Sequence, residues 1–335
     1  MARLYLNESP FPPSPKVVEE LARSGYVLNR YYDRELWNKL IKLLSHYAKL
    51  PREYVSPYPS SSEALCKLLR LARRERLRAV SLRPGFHAMK DFARVEDVEL
   101  EYFDLELPSF ELDVDKLLKT VDENTMLFIF NPNNPTSNIL IRDPSIVREI
   151  ASRVRILVID EAYYEFSGIT FAPLVKELGN LVIVRTMSKA FCLAGARVGY
   201  VLASPDIIEK LDSLRIKFDI PIPSIAAAVA ALQDLDYVKK VVEAIKVMRD
   251  RMARELEAMG LRVLPSATNF LFVEVGVRGT EVAAKLREKG IMVTAFDDPP
   301  SIQNFIRVSV GKEDENARFL RALREVLKEM GRLAN

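Results

Sequence analysis

Leu181-Val182-Ile183-Val184-Arg185-Thr186-Met187-Ser188-Lys189-Ala190-Phe191 is the stretch whose reading decides the fold of this chain. Its first four residues form a short apolar run of the kind a buried strand carries. The lysine therefore falls just beyond a strand, where the chain turns over a sheet edge. Hydroxyls flank it, and small residues (Ala194, Gly195, Ala196) lead on to Arg197, eight positions past the lysine. A lysine desolvated among hydroxyls gives up its proton readily and can then form a Schiff base. The hydroxyls and the arginine are suited to hold a phosphate. A lone lysine at a helix start reads as a solvated charge, so the weight rests on its company elsewhere in the chain.

Working outward, three more apolar runs precede it: Arg78 to Leu82, Met126 to Phe130 and Ile156 to Ile159. The second runs into Asn131-Pro132-Asn133-Asn134-Pro135-Thr136, the third into Asp160-Glu161-Ala162-Tyr163-Tyr164. Helical stretches such as Ser145 to Arg153 lie between. Short apolar strands alternating with helices predict a largely parallel sheet covered on both faces. Ligands in such sheets bind beyond the carboxyl ends of the strands, where Asn134, Asp160 and Lys189 all fall. Asp160 alone reads equally as a helix N-cap after a strand. Ser60-Ser61-Ser62-Glu63 has capping-box spacing, so a helix starts there, and free amides at a helix start also bind phosphate. Pro84-Gly85-Phe86-His87 reads as a turn presenting an aromatic ring.

Composition narrows the class. The 335 residues suit about two domains, and 49% hydrophobic content supports a substantial core. Lys+Arg total 49 against Asp+Glu 46, so the net charge of +3 gives no case for nucleic acid or a membrane surface. The basic run Arg70 to Arg78 reads as a solvated helix face, with leucines interleaved. Cys66 and Cys192 read as reduced core residues, which suits a cytoplasmic protein. With only His46 and His87, a histidine-based metal site is not expected. No signal segment and no apolar run long enough to span a bilayer is read.

The ends of the chain have a different character. Leu4 to Pro15 is too proline-rich for a helix or central strand and reads as an extended arm. Helices follow over Lys16–Arg23, with Ser14 as cap, and Glu35–Lys49. Asn29-Arg30-Tyr31-Tyr32-Asp33, between them, is a polar-aromatic loop and a candidate contact surface. Beyond Arg197 come helices over Asp206–Ile216, Ser224–Leu232 and Tyr237–Met259, the last long enough to bridge two domains. From Leu261 the pattern is α+β, with strands over Leu261–Leu264, Phe270–Val275, Ile291–Val293 and Phe305–Val310. Helices are expected over Thr280–Lys289 and Glu313–Glu329. The expected class is α/β: a large domain (30–235) with a mostly parallel sheet between helices, plus a smaller α+β domain from 236–335 and the arm (1–29).

With these pieces assembled, the chain resembles the fold-type-I pyridoxal-phosphate (PLP) aminotransferases, and most closely the histidinol-phosphate aminotransferase family. Carrying the resemblance are Leu6-Asn7-Glu8-Ser9-Pro10, Asn29-Arg30-Tyr31, the Asn131–Thr136 and Asp160–Tyr163 segments, Arg185–Phe191 and Ile306-Arg307-Val308-Ser309-Val310-Gly311. They occur in the family's order across nearly the whole chain. The resemblance implies transamination between an amino donor and a 2-oxo acid, with PLP as cofactor, in a homodimer with shared active sites. It casts Lys189 as the Schiff-base lysine and proton shuttle, and Asp160 as partner of the pyridine nitrogen. Asn134 and Tyr163 match donors to the ring's 3′-oxygen, and Phe86 an aromatic ring stacked on the pyridine. Arg197, Ser188, Thr186 and the amides of Ser61 and Ser62 match the phosphate cradle. Tyr31 matches a residue that reaches the same phosphate across the dimer interface. Arg307 matches the fork for the substrate carboxylate, and Asn7 a further substrate contact.

The chain departs from the family in three places. The loop before Glu63 usually carries Asn-Gly and an acidic residue, whereas Pro59-Ser60-Ser61-Ser62 stands here, which puts a glycine-permitted backbone geometry in question. Thr294 stands where the family usually has an arginine associated with the phosphate of histidinol phosphate. A Pro-Tyr segment that precedes the Leu-Asn-Glu motif in the family has no counterpart. The breadth of the match keeps histidinol-phosphate aminotransferase as the leading named activity, with an amino acid or an amine phosphate as donor. The departures lead to the expectation of a preferred donor without a phosphate, aromatic or otherwise bulky, or a pocket rebuilt around Arg3 or Arg30. Two other readings share the motifs: a PLP-dependent threonine-phosphate decarboxylase, and a non-catalytic regulator on the same fold.

Overall fold

The computed structural model describes residues 1–333. In chain order its elements are β1 (Ala2–Arg3), α1 (Pro15–Ser24), α2 (Arg34–Ala48), β2 (Val55–Tyr58), α3 (Ser61–Glu75), β3 (Arg78–Arg83), α4 (Ala88–Val95) and β4 (Leu100–Asp104). They continue as α5 (Val114–Thr120), β5 (Thr125–Phe130), α6 (Pro144–Ala151), β6 (Ile156–Asp160), α7 (Tyr164–Ser167), β7 (Leu181–Thr186), β8 (Gly199–Ala203), α8 (Pro205–Asp212) and α9 (Ile222–Leu232). The last third holds α10 (Leu235–Glu257), β9 (Arg262–Val263), β10 (Phe270–Glu274), α11 (Gly279–Glu288), β11 (Ile291–Met292), β12 (Thr294–Ala295), β13 (Phe305–Ser309) and α12 (Glu313–Glu329).

Seven strands form the main sheet in the order β2-β8-β7-β6-β5-β3-β4. The neighbours from β7 through β4 are parallel, and β8 runs antiparallel to both β7 and β2. Both faces are covered. Along β5, Met126, Phe128 and Phe130 join one hydrophobic cluster with α3, while Leu127 and Ile129 join the other. Burial on both faces is why these strands are apolar throughout rather than alternating.

A four-stranded antiparallel sheet, β12-β13-β10-β9, forms the second layer system, with α11 and α12 packed together beside it. The 23-residue α10 packs against α7 and α9 and also against α12, β9 and β10. The N-terminal arm crosses between the sheets. β1 pairs in parallel with β11, and Asn7 holds the arm in place with four hydrogen bonds.

Several local expectations need correction. Strands β2 and β4, absent from the sequence reading, are the two edges of the main sheet. The basic run does not lie on one helix: α3 ends at Glu75, Arg76 caps it in the left-handed region, and Arg78 opens β3. Ser14 occupies the cap position of α1, but its side chain makes no capping bond. Cys66 and Cys192 are half-buried rather than core residues. Among the described residues no helix is long and apolar enough to cross a membrane.

Candidate active site

Four parallel strands and the turn after each bring the chemistry together. Strand β6 ends on Asp160, β5 runs into the Asn131–Thr136 turn, β7 leads to Lys189 and β3 leads to Phe86. A cavity of about 450 Å³ opens above these ends. Asp160, Lys189, Tyr163, Asn134 and Phe86 line it. So do Ser61, Ser62, Thr186, Ser188 and Arg197, and from the arm and the second sheet Asn7 and Arg307. Of the residues that the resemblance casts in catalysis, cofactor binding or substrate binding, Tyr31 alone is not brought there. It is 85% exposed on its loop and packs against Phe218, with ring centroids 6.2 Å apart.

The turn after β5 is fixed by its own side chains. Asn131 Nδ2 donates to Ile141 O at 2.9 Å, and its Oδ1 accepts from the Leu140 and Ile141 amides. Asn133 Nδ2 donates to Pro84 O at 2.9 Å and so ties this turn to the one carrying Phe86. Asn134 is thereby held at the cavity wall, where its Oδ1 accepts from Arg307 Nη1 at 2.7 Å. Phe86 packs edge-on against Phe130 and Phe92 while still facing the cavity.

Asp160 is buried and accepts from the Ala162 amide at 2.8 Å. Burial pushes its carboxyl up to about 7, although that amide and Lys189 favour the charged form. Burial, with Arg307 nearby, draws the Lys189 ammonium down to about 8. Lys189 Nζ donates to Leu6 O of the arm at 3.0 Å. Tyr163 accepts from Asn7 Nδ2 at 3.0 Å, and burial lifts its phenol to about 12, so it stays a proton donor at neutral pH. Burial lowers Arg307 to about 10, which still leaves it charged.

At the far wall, α3 starts at Ser61 with its first turn aimed into the cavity. Ser60 caps it by accepting from the Glu63 amide at 3.2 Å. Ser60 has φ 110°, a conformation that favours glycine, so the serine loop keeps the geometry that its sequence had put in question. Gly199 explains how α3 comes so close to β8: a Cβ there would stand 2.4 Å from Ser61 N. Thr186 donates to Ser188 Oγ at 3.0 Å, and Arg197 sits exposed at φ 53°. Hydroxyls, helix amides and a guanidinium face one another here, which is the donor set an anion of phosphate type takes.

Sequence reasoning passed over two residues of this cavity. His87 follows Phe86 and borders the cavity, its ring edge-on to Phe296. Burial and the charge of Arg307 hold its imidazole below the ordinary value. Glu8 also lines the cavity and pairs with Arg3 at 3.0 Å. Each is the immediate neighbour of a residue already singled out, which was the only signal available. Arg3 is committed to Glu8, and Arg30 lies on the exposed loop outside the cavity lining.

Comparison with known proteins follows the same lines. Residues 1–323 match the family model described as aminotransferase class I and II. Histidinol-phosphate aminotransferase 2 of Archaeoglobus fulgidus is 34% identical over 328 residues, 97% of this chain and 93% of that protein. Histidinol-phosphate aminotransferase of Sulfurisphaera tokodaii is 32% identical over 330 residues, 97% of this chain and 90% of that protein. The crystal structure of histidinol-phosphate aminotransferase from Sinorhizobium meliloti in complex with pyridoxal-5′-phosphate superposes with a TM-score of 0.88 at 26% identity. It covers 98% of this chain and 91% of that one.

Proposed function

The chain belongs to the class I and II aminotransferases, and from that membership we propose how its own residues divide the work of a PLP-dependent transamination. The enzyme exchanges an amino group between a donor amine and a 2-oxo acid. The observation that carries the assignment of roles is that Lys189, Asp160, Tyr163 and Arg307, from three different segments, border one cavity.

The cofactor fits the residues present. A buried carboxylate at a strand end suits a protonated ring nitrogen, and the α3 amides of Ser61 and Ser62, with Thr186, Ser188 and Arg197, suit its phosphate. When bound, PLP supplies an aldehyde to the amine and a ring that draws electrons from Cα. Asp160 would hold the proton on the ring nitrogen. Asn134 and Tyr163 would donate to the ring oxygen, and Phe86 would lie against the ring. Lys189 would anchor the cofactor, and its amine, when neutral and free, would be the base for the proton on the donor's Cα. Its lowered pKa supports both tasks. Arg307 holds the anionic head of the donor, and then of the 2-oxo acid, as a fork, with Asn7 steadying Tyr163 beside it.

The donor class we propose is a primary amine with one anionic head group. Arg197 faces the cofactor phosphate, which leaves Arg307 as the one remaining guanidinium among the residues lining the cavity. Free amino acids fit this description. Histidinol phosphate does too, since it carries a phosphate and no carboxylate, and it is the donor both relatives are named for.

We also infer a homodimer in which Tyr31 reaches the partner's cofactor phosphate. Tyr26, Leu28, Tyr31, Ile216 and Phe218 are exposed apolar residues, and Tyr31 stacks on Phe218, which supports an interface there. Residues 30–235 serve as the cofactor-binding domain, with 1–29 and 236–335 as the second, and the enzyme works in the cytoplasm. The test is a donor screen: each amino acid and histidinol phosphate is added to the yellow protein, and both the cofactor absorbance and the 2-oxo product are followed. Release of CO2 in place of a keto product would reverse the reading in favour of a decarboxylase.

A further inference from the structure

Thr294 stands directly across from Arg307 in the pairing of β12 with β13. Its Oγ1 donates to the Tyr5 carbonyl at 2.8 Å. That carbonyl also accepts from Arg307 Nη2 at 2.6 Å, and Nη2 lies 3.2 Å from Thr294 Oγ1. Three groups thus close a triangle on one corner of the guanidinium, while Nη1 is held from the opposite sheet by Asn134. Arg307 is 4% exposed, and its Nε is buried without a protein partner. A buried guanidinium is costly to misplace, because each N–H left unpaired carries a desolvation penalty. Something must therefore select its orientation before any substrate arrives.

We propose that Thr294 is a positioning residue: its hydroxyl, together with the Tyr5 carbonyl, sets the plane of the Arg307 guanidinium toward the substrate and ties substrate binding to the N-terminal arm. This rests on the reading of Arg307 as the fork for the anionic head. The hydroxyl spends its one proton on Tyr5 O and offers a lone pair to Nη2, which a threonine or serine does and a valine does not. Tyr5 itself is anchored two residues before Asn7, whose amide donates to Ser309 Oγ at 2.8 Å and whose carbonyl accepts from Asn269. The arm is thus a fixed support for the triangle. A threonine kept only for its β-branched shape in an edge strand would behave in the opposite way, since valine preserves the branch and serine removes it.

The experiment compares Thr294→Val and Thr294→Ser with wild type in the amino-donor half-reaction, using the donors of the screen. The triangle predicts that Thr294→Val raises donor KM about tenfold, the scale of one hydrogen bond to a charged group, with kcat within about threefold of wild type. Cofactor retention is unchanged, and Thr294→Ser stays near wild type. In an Arg307→Lys background the valine then adds little, because its effect runs through the guanidinium. Wild-type KM in Thr294→Val, or damage in Thr294→Ser with none in Thr294→Val, would overturn the proposal while leaving the transaminase reading intact. A wild-type protein that converts no donor would overturn that reading first, and this one with it.

Discussion

Arg307 Nη1 donates to Asn134 Oδ1 at 2.7 Å, joining a strand of the second sheet to a turn of the first across 173 positions of sequence. In the proposed roles one residue serves the substrate and the other the cofactor, so the two binding events would share a bond. Arg307→Lys removes the planar fork and keeps the charge. It is expected to lower kcat/KM for donor and 2-oxo acid alike by about 10- to 100-fold, mostly through KM. Steady-state kinetics on both half-reactions measure this, and an effect confined to one of them would contradict a shared fork.

The ionisations of Asp160 and Lys189 predict how the apoprotein takes up its cofactor. Asp160 must be charged to pair with a protonated ring nitrogen, and its carboxyl titrates at about 7. Lys189 must be neutral to attack the aldehyde, and its ammonium titrates at about 8. Both groups are protonated, and unsuited, below these values. Reconstitution is therefore expected to speed up as pH rises from 6 to about 8 and then to level off. Asp160→Asn should lose the lower part of that rise, retain cofactor more weakly and abstract the Cα proton more slowly. Stopped-flow absorbance decides it; a rate independent of pH across this range would count against the assignment.

Much of this site could be read from sequence because its residues follow strands that are buried on both faces. Leu181–Val184, Ile156–Ile159 and Met126–Phe130 are continuous apolar runs, so Lys189, Asp160 and Asn134 could be placed at their ends. The edges lacked that signal. β2 contains Pro57, and β4 is Leu-Glu-Tyr-Phe-Asp with Phe103 alone buried, so neither edge carries a continuous apolar run. His87 and Glu8 gave no periodic or motif signal of their own. The partners of Thr294 lie 289 and 13 positions away, which pattern reading within a segment does not reach.

Shared active sites predict complementation between inactive chains. Tyr31 is exposed in the single chain and contributes nothing to that chain's own cavity lining. Tyr31→Ala is expected to lose cofactor and with it activity, and Lys189→Ala to abolish turnover. Mixing the two under subunit exchange should restore about a quarter of wild-type activity, since a mixed dimer has one intact site. Exchange proven by mass spectrometry without any recovery would rule out a partner-supplied tyrosine.

Thr294 carries no charge, and its hydroxyl is occupied by Tyr5 and Arg307. A phosphate dianion therefore finds one cation fewer than an arginine at this position would supply. Free aromatic or bulky amino acids are expected to exceed histidinol phosphate in kcat/KM, and Thr294→Arg to shift the ratio toward histidinol phosphate by about 10- to 100-fold. Competition assays with both donors give the ratio. A wild type that prefers histidinol phosphate by orders of magnitude, with no gain from the arginine, would reverse this expectation.

The central claim is that Lys189 carries the cofactor, and borohydride reduction tests it most directly. The purified yellow protein is reduced, digested and mapped by mass spectrometry. Reduction is expected to remove the yellow colour and fix a pyridoxyl group to Nζ of Lys189, with no adduct in Lys189→Ala. A label on any other lysine, or none at all in protein shown to contain the cofactor, would contradict it.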